Sequence, residues 1–130
     1  MLQLSIYTEK SKRSILKAIN MTEECRYKYL EPQVLMAGIV NEGRDMLSYV
    51  MQFLHVDRIA FCKRINETFM EINEISDEAP IIGERTSEIL GKAKLLSNES
   101  GCERIPIEFL LLSMILVPSK VKDVFSSIGI

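Results

Sequence analysis

The sequence predicts an all-α domain built from two related helical units, because one long apolar stretch occurs twice. Within residues 105–117 there is no charged residue from Phe109 onward, so a helix formed here has to be surrounded by protein on every face. Residues 30–40 match residues 105–115 position by position at a constant shift. The helix that precedes each stretch is repeated at the same shift, which indicates an internal duplication.

The first unit, residues 7–72, is expected to form four helices. They are predicted at 8–26, 32–41, 45–54 and 57–72. Thr8 and Asp57 are suitable N-cap residues, and Glu9 would lie in the electropositive first turn of the first helix. His55 follows the third helix at a position where a C-cap residue would lie.

Apolar residues at helical spacing indicate which face each helix buries. In the first helix this face contains Ile15, Ala18, Ile19 and Thr22. In the third helix it contains Met46, Leu47, Val50, Met51 and Leu54. In the fourth helix it is predicted to contain Ile59, Cys62, Ile65, Phe69 and Ile72. We expect these faces to turn toward a core packed around two apolar segments, residues 35–40 and 109–116.

Residues 73–82 are acidic, contain Pro80 and have no clear period, so they are predicted to link the two units. The second unit, residues 83–130, repeats the first helix at 84–100 and the apolar helix at 105–117. After a slip of one position, Val121 and Phe125 match Leu47 and Met51. About seven helices are therefore expected. The missing counterpart of the fourth helix suggests a fragment of a longer protein or a variant that has lost its last helix.

Composition favours one compact domain and argues against two classes of partner. The chain has 130 residues, 47% of them apolar, and a formal net charge of −2. An acidic balance without a run of lysine and arginine speaks against nucleic acid. The longest apolar run is far shorter than the roughly 20 residues that a membrane span needs, and no signal peptide is recognisable. We expect a cytoplasmic protein.

No group of residues with catalytic or metal-binding spacing stands out. The cysteines Cys25, Cys62 and Cys102 form no CxxC motif and lie far in sequence from His55, the only histidine. Nucleophilic catalysis needs a serine or cysteine beside a base, and a zinc site needs more ligands than this chain offers. The pair Gly91 and Lys92 lacks the other residues of a phosphate-binding loop. Neither a catalytic residue nor a metal site is expected.

Three motifs, each occurring twice, resemble the N-terminal domain of the Clp unfoldases. The first is T-E-K-S-K-R-S-I-L-K-A at residues 8–18 and E-R-T-S-E-I-L-G-K-A at 84–93. The second is P-Q-V-L-M-A-G-I-V at 32–40 and I-E-F-L-L-L-S-M-I at 107–115. The third is L-H-V-D at 54–57 and I-G-I at 128–130. Each motif is mostly apolar spacing, so their repetition in order carries the resemblance.

The resemblance implies two pockets, one in each unit, of the kind that in some members of this family bind arginine-phosphorylated substrates through a glutamate. Transferred to this chain, the first pocket would contain Thr8 and Gln33, and the second Gly83 and Glu108. The chain departs from the family pattern at Gln33, which replaces the glutamate. A neutral amide binds a guanidinium more weakly than a carboxylate does. Glu108 has an alternative role as an acidic residue favoured by the helix dipole.

The resemblance implies that this chain binds proteins and is not itself an enzyme. It would dock substrate proteins and adaptor proteins and deliver them to an ATPase ring for unfolding, disaggregation or proteolysis. The chain would hold no cofactor, and ATP would be bound by a parent protein, expected to be hexameric; a peptidase partner is left open. The alternative is a stand-alone helical adaptor without an ATPase, while a small-molecule enzyme is disfavoured by the single histidine.

Overall fold

A computed structural model describes residues 2–130, and these residues form seven α-helices. The helices are α1 (Glu9–Glu24), α2 (Pro32–Glu42), α3 (Arg44–Phe53), α4 (Arg58–Thr68), α5 (Glu84–Glu99), α6 (Ile107–Leu116) and α7 (Lys120–Ser127). Two short 3-10 helices, Leu4–Ile6 and Phe69–Glu71, accompany them. Two short parallel strands, β1 (Tyr29–Leu30) and β2 (Ile81–Ile82), pair with each other. The predicted all-α fold and its seven helices are confirmed.

The predicted helix ends are formed by the residues that the sequence indicated. The Thr8 hydroxyl accepts a hydrogen bond from the backbone N–H of Ser11, and the Asp57 carboxylate accepts from the N–H groups of Ile59 and Ala60. His55 follows α3 with a φ of 57°, the left-handed conformation that commonly ends a helix. Local sequence therefore determines where these helices begin and end.

The two units are joined by two parallel backbone pairings that cross from one unit to the other. Tyr7 bridges Ile105, and Leu30 pairs with Ile82. In each pairing, a residue before the first helix of one unit lies beside a residue before the apolar helix of the other unit. In the first unit α1 packs against α2, and in the second unit the corresponding helices α5 and α6 pack against each other. The division at residues 73–82 stays a prediction.

Helix α2 lies at the centre of the core. Four of its apolar side chains, Val34, Leu35, Met36 and Ile39, are completely buried. Every other helix contacts α2, and α1 does so most extensively. At Gly38 the two backbones touch, because a Cβ atom there would lie 2.3 Å from the carbonyl oxygen of Ser14. Only glycine permits an approach this close.

Helix α6 is less enclosed than expected, so the prediction of burial on every face is wrong. Leu110 and Leu111 are buried, but Leu112 and Leu116 are 37% and 44% exposed. In the aligned units these two positions correspond to Ala37 and Asn41 of α2, which line a cleft against α4. Within residues 2–130 no counterpart of α4 covers α6, and its outer face therefore contacts solvent.

The buried face of α4 also differs from the prediction. Ile59, which was expected to point inward, is 78% exposed, whereas Phe61 is fully buried. The Phe61 ring stacks on Phe125 of α7 with 4.9 Å between centroids, and Ile65 lies one turn further along the same face. The aromatic contact with α7 sets the rotation of α4, and this contact could not be deduced from the spacing within α4 alone.

Membrane insertion finds no support in the helices. Across residues 2–130 every helix falls short of the length and hydrophobicity that crossing a bilayer requires.

Replacement of Gly38 by alanine is expected to destabilise the protein, because the new methyl group would force α1 and α2 apart. Overpacking of this kind typically costs about 1–3 kcal/mol. Gly91 of α5 is the matched control, since nothing lies within 4 Å of a Cβ built there. Gly91→Ala should stabilise the chain by roughly 0.5–1 kcal/mol through helix propensity. Denaturant unfolding measures both effects, and equal stability of the two variants would contradict the contact at Gly38.

Candidate functional site

The four candidate site residues all lie at helix starts. Thr8 and Gly83 precede α1 and α5 as N-cap residues, while Gln33 and Glu108 lie in the first turns of α2 and α6. Helix starts carry unpaired N–H groups and a partial positive charge. The structure therefore places the candidates in equivalent positions of the two units, although their binding role stays a prediction.

The backbone pairs these residues across the units and not within them. The Thr8 N–H donates to the carbonyl oxygen of Ile105 at 3.1 Å, which places Thr8 beside the start of α6. The Gly83 N–H donates to the carbonyl oxygen of Leu30 at 3.2 Å, which places Gly83 beside the start of α2. The family resemblance implied the pairs Thr8 with Gln33 and Gly83 with Glu108. The crossed pairings join Thr8 with the Glu108 end and Gly83 with the Gln33 end.

At the Thr8 junction the polar groups are already engaged or exposed. The Thr8 hydroxyl caps α1 and donates to the Ser11 hydroxyl at 3.1 Å. Glu108 is exposed in the first turn of α6, and none of the ion pairs formed by residues 2–130 includes it. A carboxylate in this position is favoured by the helix dipole alone.

At the Gly83 junction, Gln33 is buried and only partly satisfied. Its side chain is 3% exposed, and its Nε2 donates a long hydrogen bond of 3.5 Å to the carbonyl oxygen of Thr68. Its Oε1 is buried and has no donor among the described residues. A buried acceptor left without a donor costs about 1–3 kcal/mol. Gln33 Oε1 would therefore gain a hydrogen bond if the side chain turned toward a donor on a ligand.

Two adjoining clefts open beside Gln33, with volumes of about 220 and 310 Å³. Both contain Tyr29, Glu31 and Glu74, and we call them together the acidic cleft. One also contains Gln33, Glu71 and Lys120, and the other also contains Gly83, Glu84 and Arg85. The cleft is formed by β1, the start of α2, the start of α5 and the acidic segment that precedes β2.

Negative charge predominates in the acidic cleft. Lys120 pairs with Glu71 at 3.3 Å, and Arg85 pairs with Glu88 outside the cleft at 3.0 Å. The remaining carboxylates, those of Glu31, Glu74 and Glu84, form no ion pair within residues 2–130. A cation that entered the cleft would meet three uncompensated carboxylates.

Glu31 is the carboxylate most affected by this arrangement. Burial raises the pKa of its carboxyl group, and the nearby charge of Glu74 raises this pKa further. A Cβ at position 83 would lie 2.8 Å from Glu31 Oε1, so the glycine there lets the carboxylate lie against the backbone. The Glu31 charge is thus held in the cleft at an energetic cost that a bound cation would relieve.

Gln33 and Gly83 were expected from the family resemblance, whereas Glu31 and Glu74 were not predicted from the sequence. Glu31 immediately precedes α2, and Glu74 belongs to the segment interpreted as a linker. That segment is not irregular throughout: Ile75 bridges Tyr27, and the Lys28 N–H donates to the carbonyl oxygen of Glu74. The acidity of residues 73–84 was the available signal, but only the fold shows that they face α2.

Metal binding is not favoured by this geometry. Nowhere in residues 2–130 do three histidine, cysteine, aspartate or glutamate side chains converge closely enough to hold a metal ion. His55 is exposed at the end of α3. The dispersed carboxylates of the acidic cleft are suited to an extended organic cation.

Family and fold comparisons agree with each other. Residues 6–129 match the family described as the Clp repeat (R) N-terminal domain. Chaperone protein ClpB of Bacteroides thetaiotaomicron is 23% identical over 123 residues, which cover 95% of this chain and 14% of that protein. ClpB of Porphyromonas gingivalis is 15% identical over 128 residues, covering 98% and 15%. The chain thus spans about one seventh of the length of the curated relatives it matches.

Solved structures share the fold at low identity. The Hsp104 N-terminal domain from Candida albicans superposes with a TM-score of 0.82 and 17% identity, covering 95% of this chain and 82% of that one. The N-terminal domain (1–163) of the ClpV1 ATPase from the E. coli EAEC Sci1 T6SS gives 0.80 and 14%, covering 98% and 79%. A chain from a structure described as a peptide from the EAEC T6SS Sci1 SciI protein gives 0.81 and 14%, covering 95% and 82%.

Glu31→Gln is expected to stabilise the protein at neutral pH. Because the folded-state pKa of Glu31 is raised, the folded protein holds its proton more tightly than the unfolded chain does, and stability falls as pH rises from the ordinary value of 4.5 through the raised value. The variant removes this loss, so its advantage should vanish as the pH falls below that window. Thermal unfolding between pH 4 and 8 measures the difference.

The control for this experiment is Glu103→Gln, at an exposed position outside the cleft. Its stability should stay within about 0.5 kcal/mol of the parent sequence. Equal pH profiles for Glu31→Gln and the unmodified chain would show that Glu31 is not destabilised in the folded state.

Proposed function

Since the chain belongs to the Clp repeat N-terminal domain family, we propose that it is the docking domain of a Clp-type ATP-dependent unfoldase. It would bind substrate proteins and adaptor proteins and deliver them to an ATPase ring encoded in the same parent chain. The domain would work in the cytoplasm without a cofactor of its own. ATP hydrolysis, hexamer formation and any peptidase would belong to the parent assembly.

The observation that carries this proposal is the acidic cleft. Three unpaired carboxylates and the side chain of Gln33 line a depression that has space for one long side chain. An arginine or lysine from an incoming polypeptide would supply the charge that the cleft lacks. Binding would relieve the destabilised Glu31 carboxylate and give Gln33 Oε1 a donor.

Arginine fits this set of groups better than lysine does. A guanidinium has five N–H donors in a planar fork and can donate two parallel hydrogen bonds to one carboxylate. Glu31 would accept this bidentate pair, and the Gln33 Oε1 would accept a further N–H. A phosphorylated arginine fits less well, because its phosphate would enter among the carboxylates of Glu74 and Glu84.

The relatives support docking as the general role. ClpB is named as a chaperone protein and ClpV1 as an ATPase, and the N-terminal domains of ClpV1 and Hsp104 share this fold. Of the solved chains with this fold, one comes from a structure whose description names a peptide of another protein. A domain of this kind with an acidic cleft is suited to binding extended segments of protein.

A fluorescent peptide that contains one arginine tests the proposal directly. Fluorescence anisotropy should show binding to the 130-residue chain, and Glu31→Gln and Glu74→Gln should each weaken it about tenfold, which corresponds to about 1.4 kcal/mol. A peptide with citrulline in place of arginine has the same shape without the charge and should not bind. Glu103→Gln is the matched control and should bind as the parent sequence does.

Affinity should also rise with pH through the raised pKa of Glu31, because only the ionised carboxylate attracts the guanidinium. In the parent unfoldase, the double variant Glu31→Gln/Glu74→Gln should slow substrate unfolding while basal ATP hydrolysis is unchanged. Equal binding of the arginine and citrulline peptides would refute the role of the acidic cleft.

A further inference from the structure

A second cleft lies at the other end of α2, between α2, α3 and α4, and its polar lining is entirely basic or neutral. Its volume is about 160 Å³, and its polar lining residues are Asn41, Arg44, Arg58, Cys62 and Asn66. We propose that this arginine cleft binds a phosphate group. Gln33 begins α2 and Asn41 lies near its end, so the two clefts are about 12 Å apart along the helix axis.

The positive charge of the two arginines in this cleft is uncompensated. No carboxylate lines the arginine cleft, and within residues 2–130 neither Arg44 nor Arg58 forms an ion pair. Of the acidic residues near them in sequence, Glu42 pairs with Arg13 at 3.5 Å, Asp57 caps α4, and Asp45 of α3 does not line the cleft. Two guanidinium groups that share a small cleft repel each other, and an anion between them would remove this repulsion.

Arg58 also has an unsatisfied hydrogen-bond donor. Arg58 is half-buried, and its Nε–H is buried without an acceptor in the described part of the chain. A buried donor without an acceptor costs about 1–3 kcal/mol, so a small movement of the Arg58 side chain that brought this N–H to a bound anion would be favourable. Burial raises the pKa of the neighbouring Cys62 thiol while the Arg58 charge opposes that rise, which shows that the guanidinium acts within the cleft.

The arginine cleft also lies beside the starts of α3 and α4. Arg44 is the first residue of α3, whose N-terminus carries a partial positive charge, whereas the start of α4 is already capped by the Asp57 carboxylate. The N-cap of α3 is Gly43, which offers no side-chain acceptor to the N–H groups of the first turn. Backbone N–H groups of a helix start are a common binding site for anions.

Phosphate suits the arginine cleft better than a carboxylate does. Near pH 7 a phosphate monoester carries a charge of about −1.5 to −2, which matches two guanidinium groups. A carboxylate carries one charge and would leave one arginine unpaired. Each arginine can donate to two oxygens, and the amides of Asn41 and Asn66 can donate to others. The volume admits one phosphate group, either free or at the tip of a phosphorylated side chain.

Titration of the ¹⁵N-labelled chain with inorganic phosphate at constant ionic strength tests the proposal. Saturable NMR shifts are expected at the amides of Asn41, Arg44, Cys62 and Asn66. Arg44→Gln and Arg58→Gln should each weaken binding at least tenfold. Arg64→Gln, which removes the same charge from an exposed position of α4 outside the cleft, is the matched control and should leave binding unchanged.

Arg44 keeps the test decisive if Arg58→Gln fails to fold, because the Arg44 side chain is exposed and its loss opens no cavity in the core. Protection of Cys62 from alkylation by phosphate, in a Cys25→Ser/Cys102→Ser background, is an independent readout. A phosphoserine peptide that binds at the same amides would identify a phosphorylated protein as the source, and binding of inorganic phosphate alone would identify the free ion. Shifts that sodium chloride reproduces, or that persist in Arg44→Gln, would overturn the proposal.

Discussion

The burial of α2 is the constraint on which the rest of the structure depends. Its core apolar side chains are completely buried, and each of the other helices supplies part of the surface that covers them. Gly38 makes the tightest of these contacts by bringing the backbones of α1 and α2 together. A helix held in this way cannot shift or rotate without disturbing the whole core, and it gives rigid support to residues at its two ends.

The electrostatics of the domain follow from the two ends of this one helix. At its start, β1 and the acidic segment bring Glu31 and Glu74 together, and burial, reinforced by repulsion from Glu74, raises the pKa of Glu31. At its end, the turns into α3 and α4 bring Arg44 and Arg58 to one cleft. The formal net charge of −2 conceals this separation, because the opposite charges lie at different ends of α2. Both clefts thus carry charge that a ligand of the opposite sign would neutralise.

Local signals in the sequence were sufficient to predict the helices and their caps. Thr8, Asp57 and His55 act through neighbours a few residues away, so their roles could be predicted without knowledge of the fold. The apolar duplication predicted the two core helices in the same manner. The outward position of Ile59 and the exposure of Leu112 could not be predicted, because both depend on which helix packs against the face concerned.

The candidate site was predicted only in part, for a related physical reason. Resemblance identified Gln33 and Gly83, but the pairing of helix starts depends on strands that cross between the units, and two-residue strands leave almost no pattern in a sequence. Glu31 and Glu74 are distant in sequence and interact only after these strands have formed.

The crossing strands also explain why the two junctions, although related by the duplication, differ in chemistry. At one junction Gly83 has no side chain, so Glu31 can lie against the backbone and the cleft stays open. At the other junction Thr8 uses its hydroxyl to cap α1, and Glu108 extends into solvent. A side chain at a helix start can either satisfy its own helix or leave room for a ligand. The junction that contains Gly83 is also the one where Gln33 has a buried, unpaired acceptor. The duplicated fold has therefore produced one cleft suited to binding and one well-capped helix.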